Sequence, residues 1–507
     1  MSHPNDGDWT GVGRHLAPSA NPRRTYWRKE GIPRMRRETL LPFFGVDLPT
    51  RYREGRPVSQ RLFGTDGVRG IANIEPITAT SALKLAEAAA RVLTRRQSNC
   101  TAIVGRDTRA SGEMLESAIA AGLASRGVDV ILAGIVPTPA LAYLTPTHEA
   151  VFGVVVSASH NPYQDNGIKF FGPDGYKLSD ELELAIEGEF FRTESGQPAL
   201  CKSIGRIRRL RDSVEQYAAF AVSTVPKGFS LSGTTVAFDA ANGAAYETTP
   251  LVLARLGAQV KLMAATPDGF NINRECGSTH PEALCELVRK SGAAFGFAHD
   301  GDADRLLFCD ETGDYLDGDE LLAIAGTDLL SRRQLRQNTL VATVMSNFGL
   351  DAVLNAQGGK VLRTNVGDRY VMDALIQHQL NFGGEQSGHV IFKDFVTTGD
   401  GLVSALQFMD IMKRTGKPLS ELRKLLNKFP QILRNVVVRE KLPFEQFSSL
   451  MKQVGEAQSR LAGVGRVLLR YSGTEPKARL LLEGPDAGEL EELAEGIIQE
   501  LEKNLGA

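Results

Sequence analysis

The sequence predicts an α/β protein, with three similar α/β domains built on mixed sheets and a smaller C-terminal α+β domain. Three observations predict it. At 507 residues the chain is too long for one core and suits roughly three or four domains. A strand–helix–strand rhythm recurs three times between residues 61 and 430, which argues for sheets with buried, parallel centres. Residues 431–507 break that rhythm.

Residues 1–58 stand apart, with 11 Arg and Lys against 6 Asp and Glu, both tryptophans and poor periodicity. Their acids and the lack of an amphipathic pattern fit a transit peptide poorly, and no apolar stretch makes them a secretory signal. A disordered N-terminal extension is expected. Domain 1 is placed at 59–210. It has helical spacing at 81–94, a strand at 101–104, the turn "GRDTRAS", a helix through Ser125 and a strand at 129–132. Strands at 151–156 and 167–171 then flank a loop. Domain 2, at 211–315, repeats the pattern with strand 235–239, helix 248–256 and strand 259–263. Domain 3, at 316–430, repeats it with strand 339–344, helix 349–357 and strand 361–363. Domain 4, at 431–507, has strands at 436–439, 466–470 and 478–483 and a final helix at 487–504, with "FPQILRNV" near the hinge.

A net charge of −2 gives no overall call for nucleic acid or an anionic membrane. No apolar run approaches a membrane span. Five scattered cysteines, Cys100, Cys201, Cys276, Cys285 and Cys309, include no C-x-x-C pair. An odd count without metal spacing reads as reduced thiols in a cytoplasmic enzyme.

Five stretches carry chemistry. In "VVVSASHNPYQDNGIKFF" (154–171) an apolar strand delivers Ser159 to a loop with Asn-Pro and Asn-Gly turn pairs. This is either a plain strand exit or a presented serine. The G-x-S-x-G elbow of hydrolases is missing. On extended backbone His160 would point away from Ser159, so Lys169 is the better candidate for handling protons. In "FGFAHDGDADRLLF" (295–308) a strand ends in Asp300, Asp302 and Asp304. Alternate residues of an extended chain face one way. Such carboxylates repel one another unless a cation neutralises them, and hard oxygens suit Mg2+. An EF-hand is rejected, because Arg305 stands where that loop needs Gly and a strand precedes it. Arg305 beside a metal suits an anionic ligand. "GGEQSGH" (383–389) offers Glu385, Ser387 and His389 to sugar hydroxyls, or is a Gly-rich turn. "LRYSGTEPKAR" (469–479) joins Arg470, Ser472, Gly473, Thr474 and Arg479 into an anion cradle. It is no Walker A motif. "RLFGTDGVRG" (61–70) adds Arg69 on a Gly-rich loop.

Together these motifs supply a hydroxyl, a divalent metal site, a sugar loop and a phosphate cradle, one in each successive domain. That combination suits phosphoryl transfer on a phosphosugar, which needs positioning and charge neutralisation. In order, "FGTDGVRG", "SASHNPYQDNGIKFF", "DGDADR", "GGEQSGH" and "SGTEP" resemble the α-D-phosphohexomutase family from about Arg61 to the C-terminus. "DAANGAAYE" (239–247), "NINRECGSTH" (271–280), "RTNVGDRYV" (363–371) and "TTGDGLVSALQ" (397–407) are similar to the members acting on glucosamine phosphate.

The resemblance implies a heart-shaped, four-domain fold around a central cleft. Ser159 would be carried as phosphoserine. Asp300, Asp302 and Asp304, with a phosphoserine oxygen, would hold one Mg2+ per active site. Arg69, His160 and Lys169 would join Ser159 in catalysis, Lys169 by assisting proton transfer. Arg305, Glu385, Ser387 and His389 would bind the sugar phosphate, and Arg470, Ser472, Gly473, Thr474 and Arg479 the phosphate that is not reacting. The implied reaction converts glucosamine 6-phosphate to glucosamine 1-phosphate through a 1,6-bisphosphate, for UDP-N-acetylglucosamine synthesis in the cytoplasm. A small phosphosugar is the implied partner, and the sequence fixes no oligomeric state. A sister mutase acting on glucose or mannose phosphates would share every catalytic motif. A phosphatase would need water in a site that domain closure keeps dry. The chain departs from the family pattern at Ala303, usually Gly, at His299, usually apolar, and at Tyr471, usually Pro. Ala303 adds only a methyl, so the metal is expected to be kept.

Overall fold

The computed structural model describes residues 61–64, 66–94, 100–192, 203–472 and 476–506. The expected extension at 1–58, and Gly473 and Thr474, lie outside the described residues.

Four sheets organise the chain. The first contains β1 (Val68–Ile71), β2 (Thr101–Arg106), β3 (Asp129–Ile135), β4 (Phe152–Val156), β5 (Asp165–Phe171) and β6 (Ile207–Arg209), in the order β1-β5-β4-β2-β3-β6. Strands β4, β2, β3 and β6 run parallel, while β5 returns antiparallel to β4 and β1 antiparallel to β5. The second contains β7 (Thr235–Asp239), β8 (Gln259–Met263), β9 (Phe295–Ala298), β10 (Leu307–Cys309) and β11 (Tyr315–Leu316), in the order β11-β10-β9-β7-β8. The third contains β12 (Thr339–Thr343), β13 (Lys360–Thr364), β14 (Phe382–Gly384) and β15 (Val390–Phe392), in the order β13-β12-β14-β15. Each is mixed, as expected: β8, β7 and β9 are parallel and β10 antiparallel, and β13, β12 and β14 are parallel and β15 antiparallel. The fourth sheet, β16 (Gln431–Val437), β18 (Lys477–Glu483) and β17 (Arg466–Tyr471), is antiparallel throughout.

One plan repeats. A parallel strand hands over to an antiparallel return strand at β4–β5, β9–β10 and β14–β15. The three connections hold Ser159, the aspartates and Glu385. The β17–β18 hairpin holds Ser472. Four of the five chemical motifs therefore sit at hairpin turns, while the fifth, 61–70, leads into β1.

Burial explains the strand sequences. All residues of β4, β9 and β12 are buried, as strands covered on both faces read as continuous apolar runs. The largest buried cluster runs from Ile103 through Phe238, Phe297 and Phe308 to Phe408 and Leu426, so the first three sheets share one core. The fourth has its own, from Ile432 to Leu505. Among the described residues no helix is long and apolar enough to cross a membrane.

Two differences from expectation have physical causes. The stretch 429–436, expected near the hinge, mostly forms β16, whose only buried residues are Ile432 and Val436; an edge strand this exposed gives little alternation to read. The helices Gly318–Ser331 and Gly401–Thr415 go beyond the expected set. They are buried nearly all round, which leaves no amphipathic stripe.

Candidate active site

β4 ends at Val156, Ser157 still donates its N–H to the Gly167 carbonyl of β5, and the chain turns at Ser159 and His160. Ser159 has φ +53°, a left-handed conformation that costs a non-glycine residue roughly 1–2 kcal/mol. That turn aims its Oγ at the second sheet, where it donates to Asp300 Oδ2 at 2.5 Å. It also brings His160 Nδ1 to 3.4 Å from Ser159 Oγ. This corrects the expectation that the two side chains diverge, since that holds only for extended backbone. Burial, then the nearby Arg305 and Arg69, pushes the His160 imidazole down to about 4, so it is neutral near pH 7.

The aspartates converge for a different reason than strand alternation. Residues 300–304 form a turn, and Ala303 takes φ +59°. One carboxylate oxygen from each of Asp300, Asp302 and Asp304 lies within 4.8 Å of the others, and all three residues are buried. Burial, followed by the charges of Asp302 and Asp300, raises Asp304 to about 8. Burial and Asp302 likewise raise Asp300. Asp302 Oδ1 and Asp304 Oδ1 have no hydrogen-bond partner among the described residues. Orphaned, buried, hard oxygens of this kind fit a divalent cation such as Mg2+.

Asp302 has partners on its other oxygen. Thr138 Oγ1 donates to Asp302 Oδ2 at 2.6 Å, and Lys169 Nζ lies 2.9 Å from the same atom. Burial opposes ionisation of Asp302, but Lys169 and Thr138 prevail and hold it well below the usual carboxylate range. Lys169 comes from β5 and also pairs with Asp66 at 2.9 Å and Asp304 at 3.8 Å. Burial would lower its pKa, but Asp302, Asp66 and Asp304 override burial and keep it firmly protonated. Arg69 reaches the same place, bonding Asp66 and, at 3.3 Å, the Ala158 carbonyl.

The charges continue toward the third sheet. Lys177 bridges Asp66 and Asp368, and His389 Nε2 lies 3.5 Å from Asp368 Oδ2 and 4.0 Å from Asp304 Oδ2. Glu385 Oε1 accepts from the Gly367 N–H at 2.9 Å, and Ser387 beside it is exposed. Arg305 donates its backbone N–H to Asp300 Oδ1 at 3.2 Å. The structure thus brings Ser159, His160, Lys169, Arg69, the three aspartates and His389 into one network spanning three sheets.

The β17–β18 hairpin is a separate group. Arg470 and Arg479 are register partners, and Arg479 Nη2 donates to Ser472 Oγ at 3.3 Å. Burial, then the like charge of Arg479, lowers the Arg470 pKa. Lys441 Nζ donates to the Ser472 carbonyl at 2.6 Å.

Models of the phosphoglucomutase/phosphomannomutase family match in order: its α/β/α domain I over residues 60–197, domain II over 213–313, domain III over 317–429 and its C-terminal domain over 433–500. The phosphoglucosamine mutase of Anaeromyxobacter dehalogenans is 49% identical, over 89% of this chain and 100% of that protein. That of Myxococcus xanthus is 50% identical, over 88% and 98%. The crystal structure of a phosphoglucomutase/phosphomannomutase family protein from Burkholderia thailandensis matches at 25% identity and TM-score 0.72, over 89% of this chain and 100% of that one. The chain belongs to the α-D-phosphohexomutase family. Its relatives named above are phosphoglucosamine mutases.

The departures from the phosphohexomutase pattern can now be placed. The methyl of Ala303 adds little volume, but its cost lies in the backbone, because φ +59° favours glycine. His299 packs edge-on to Phe238 and Phe297, and its Nδ1 meets the Arg305 carbonyl at 3.0 Å. A carbonyl only accepts, so Nδ1 carries the proton, and burial keeps the ring neutral at about 4. Tyr471 stacks on Phe444 at 4.2 Å and donates its hydroxyl to the Leu442 carbonyl. Sequence reasoning missed Thr138, Asp66, Lys177 and Asp368. Thr138 follows Pro137 at a helix start and looks like nothing more, and the others pair only through the fold.

Proposed function

We propose that this protein interconverts glucosamine 6-phosphate and glucosamine 1-phosphate, as an intramolecular phosphotransferase that carries a phosphoryl group on Ser159. The observation that carries the chemistry is the Ser159 hydroxyl, held against Asp300 at 2.5 Å beside two carboxylates with orphaned oxygens. The choice of sugar is supported by relatives about half identical over their whole length.

The phosphoryl group of Ser159 passes to the free 1-hydroxyl of glucosamine 6-phosphate, so the bond to Ser159 Oγ breaks as the bond to O1 forms and the O1 proton ends on Ser159 Oγ. The resulting 1,6-bisphosphate turns over in the site, and its 6-phosphoryl returns to Ser159, leaving glucosamine 1-phosphate. Asp300, Asp302 and Asp304, with a phosphoserine oxygen, would hold Mg2+, which supplies charge neutralisation on the moving phosphoryl. Lys169 stays protonated between Asp302 and Asp66 and offers charge and an N–H hydrogen bond to the oxygen that changes hands. Arg69 and the neutral His160 flank the serine. Arg305, Glu385, Ser387 and His389 orient the sugar. Arg470, Ser472, Gly473, Thr474 and Arg479 hold the phosphate that is not reacting. The fourth sheet has its own core, which suits movement of that cradle as a unit toward and away from the sugar. The buried free thiols of Cys276, Cys285 and Cys309 suit the reducing cytoplasm.

Turnover of glucosamine, glucose and mannose 6-phosphates by the purified protein, with Mg2+ and with a chelator, tests this reading. Preferential, chelator-sensitive turnover of the amino sugar is expected. Preference for glucose or mannose phosphate would reassign the substrate, and turnover indifferent to the chelator would remove the metal role.

A further inference from the structure

Two residues outside every motif so far assigned a role grip the backbone of the serine itself. Arg109, from the turn after β2, is fully buried and pairs with the equally buried Asp107 at 2.8 Å. Its guanidinium donates to four carbonyls of the serine loop: Ser159 at 2.9 Å, Asn161 at 2.8 Å, Asp165 at 3.0 Å, and Pro162. Asn273, from "NINRECGSTH" in domain II, approaches from the other side. Its Nδ2 donates to two of the same carbonyls, Ser159 at 2.9 Å and Asn161 at 3.0 Å. An amide nitrogen has two hydrogens, and both are used.

Below the loop, Ser157 Oγ donates to Asp107 Oδ2 at 2.6 Å and accepts the Ser159 N–H at 3.0 Å. Above it, a Cβ on Gly301 of the metal turn would lie 2.6 Å from the Ser159 carbonyl oxygen, so the two backbones are packed directly together. Ser159 thus has its N–H, its carbonyl and its Oγ each held by a different partner. A left-handed non-glycine residue persists only where its surroundings over-determine it, and these contacts do so.

We propose that Asn273 and Arg109 are positioning residues for phosphoryl transfer: by sharing the Ser159 and Asn161 carbonyls they lock the serine backbone left-handed and register it on the metal turn. Asn273 has the more specific part, since it comes from the same domain as the aspartates and ties the serine loop of domain I to them. The lock keeps Oγ on one line whether or not it bears phosphate. A misplacement of about 1 Å at a reacting centre can cost on the order of 100-fold in rate. The inference rests on Ser159 being the phosphoryl carrier.

The test compares full-length Asn273→Ala and Asn273→Asp with the wild type, by kcat and KM for glucosamine 6-phosphate with Mg2+ and by thermal unfolding. Asp has the shape of Asn but turns acceptors on two carbonyl oxygens. The expected order of kcat is wild type, then Ala at least about 10-fold lower, then Asp lower still by a further ~10-fold. KM should stay within about two-fold, because substrate contacts are untouched. A packing role would instead leave Asp near the wild type and Ala the poorer variant. That order, or a kcat loss explained by the unfolded fraction alone, overturns the proposal. Arg109→Lys should follow the Asn273 variants; if it does not fold, the Asn273 pair still decides. A wild type that prefers another hexose phosphate corrects the substrate and leaves the ratios readable on that sugar.

Discussion

Replacing Lys169 with Met removes the charge that balances the aspartate cluster while keeping volume. Lys169 Nζ lies 2.9 Å from both Asp66 and Asp302 and 3.8 Å from Asp304. At an effective dielectric of about 20, each 2.9 Å pair is worth about 6 kcal/mol before desolvation. Burial offsets much of that in the native protein, but the variant keeps buried carboxylates with no counter-charge. Breaking a buried pair by removing one partner costs about 3–5 kcal/mol, and that is the expected loss. It should be measured in chelator, because a divalent cation would neutralise the same carboxylates. The pH dependence has a definite sign. In the wild type Asp302 is held below the usual range, so its contribution is present above the unfolded carboxylate pKa of about 3.9 and is lost as pH falls through the lower folded value. In the variant, burial is opposed by the Thr138 hydrogen bond but no longer by the lysine charge, so Asp302 is expected to rise above that value, its charge costs stability at high pH, and the cost fades on acidification. Urea unfolding at pH 8 and pH 5 should show a large deficit at pH 8 that narrows at pH 5. A variant as stable as the wild type at pH 8 in chelator would refute the reasoning.

Ser157→Ala strands the Ser159 N–H and removes a donor from Asp107, so a loss of about 2–4 kcal/mol is expected, read by urea midpoint. In the proposed phosphate cradle, Arg470→Ala removes a contact expected to be made equally in ground and transition states, so KM should rise about 10-fold or more with kcat nearly kept; steady-state kinetics decide. Deleting residues 2–57, which precede the first family match at residue 60, should leave kcat and KM within about two-fold; a folded but inactive truncation would assign those residues a role.

The fold and the motifs were legible because four of the five motifs occupy a hairpin turn after a strand, and turns advertise themselves through Gly, Pro, Asn and Asp. What each motif meets was less legible. Thr138 and Asp302 are 164 positions apart, and Asn273 and Ser159 are 114 apart; nothing local in either sequence marks the other. Backbone sign was equally hidden. Ser159 and Ala303 are both left-handed, which undid the alternation arguments applied to His160 and to the aspartates. The convergence of Asp300, Asp302 and Asp304 was right, but a turn produces it. Asp66 lies in the same Gly-rich stretch as Arg69, but nothing local marks it, because its partners Lys169 and Lys177 come from β5 and the segment after it.

The most direct test of the account is to follow the phosphoryl group. Wild-type protein and Ser159→Ala would be incubated with Mg2+ and a hexose 1,6-bisphosphate labelled in phosphorus, then chased with glucosamine 6-phosphate. The account predicts label on the Ser159 peptide of the wild type, its transfer to glucosamine phosphates during the chase, and neither in the folded Ser159→Ala variant. Label on another residue, or mutase turnover by Ser159→Ala near the wild-type rate, would contradict it.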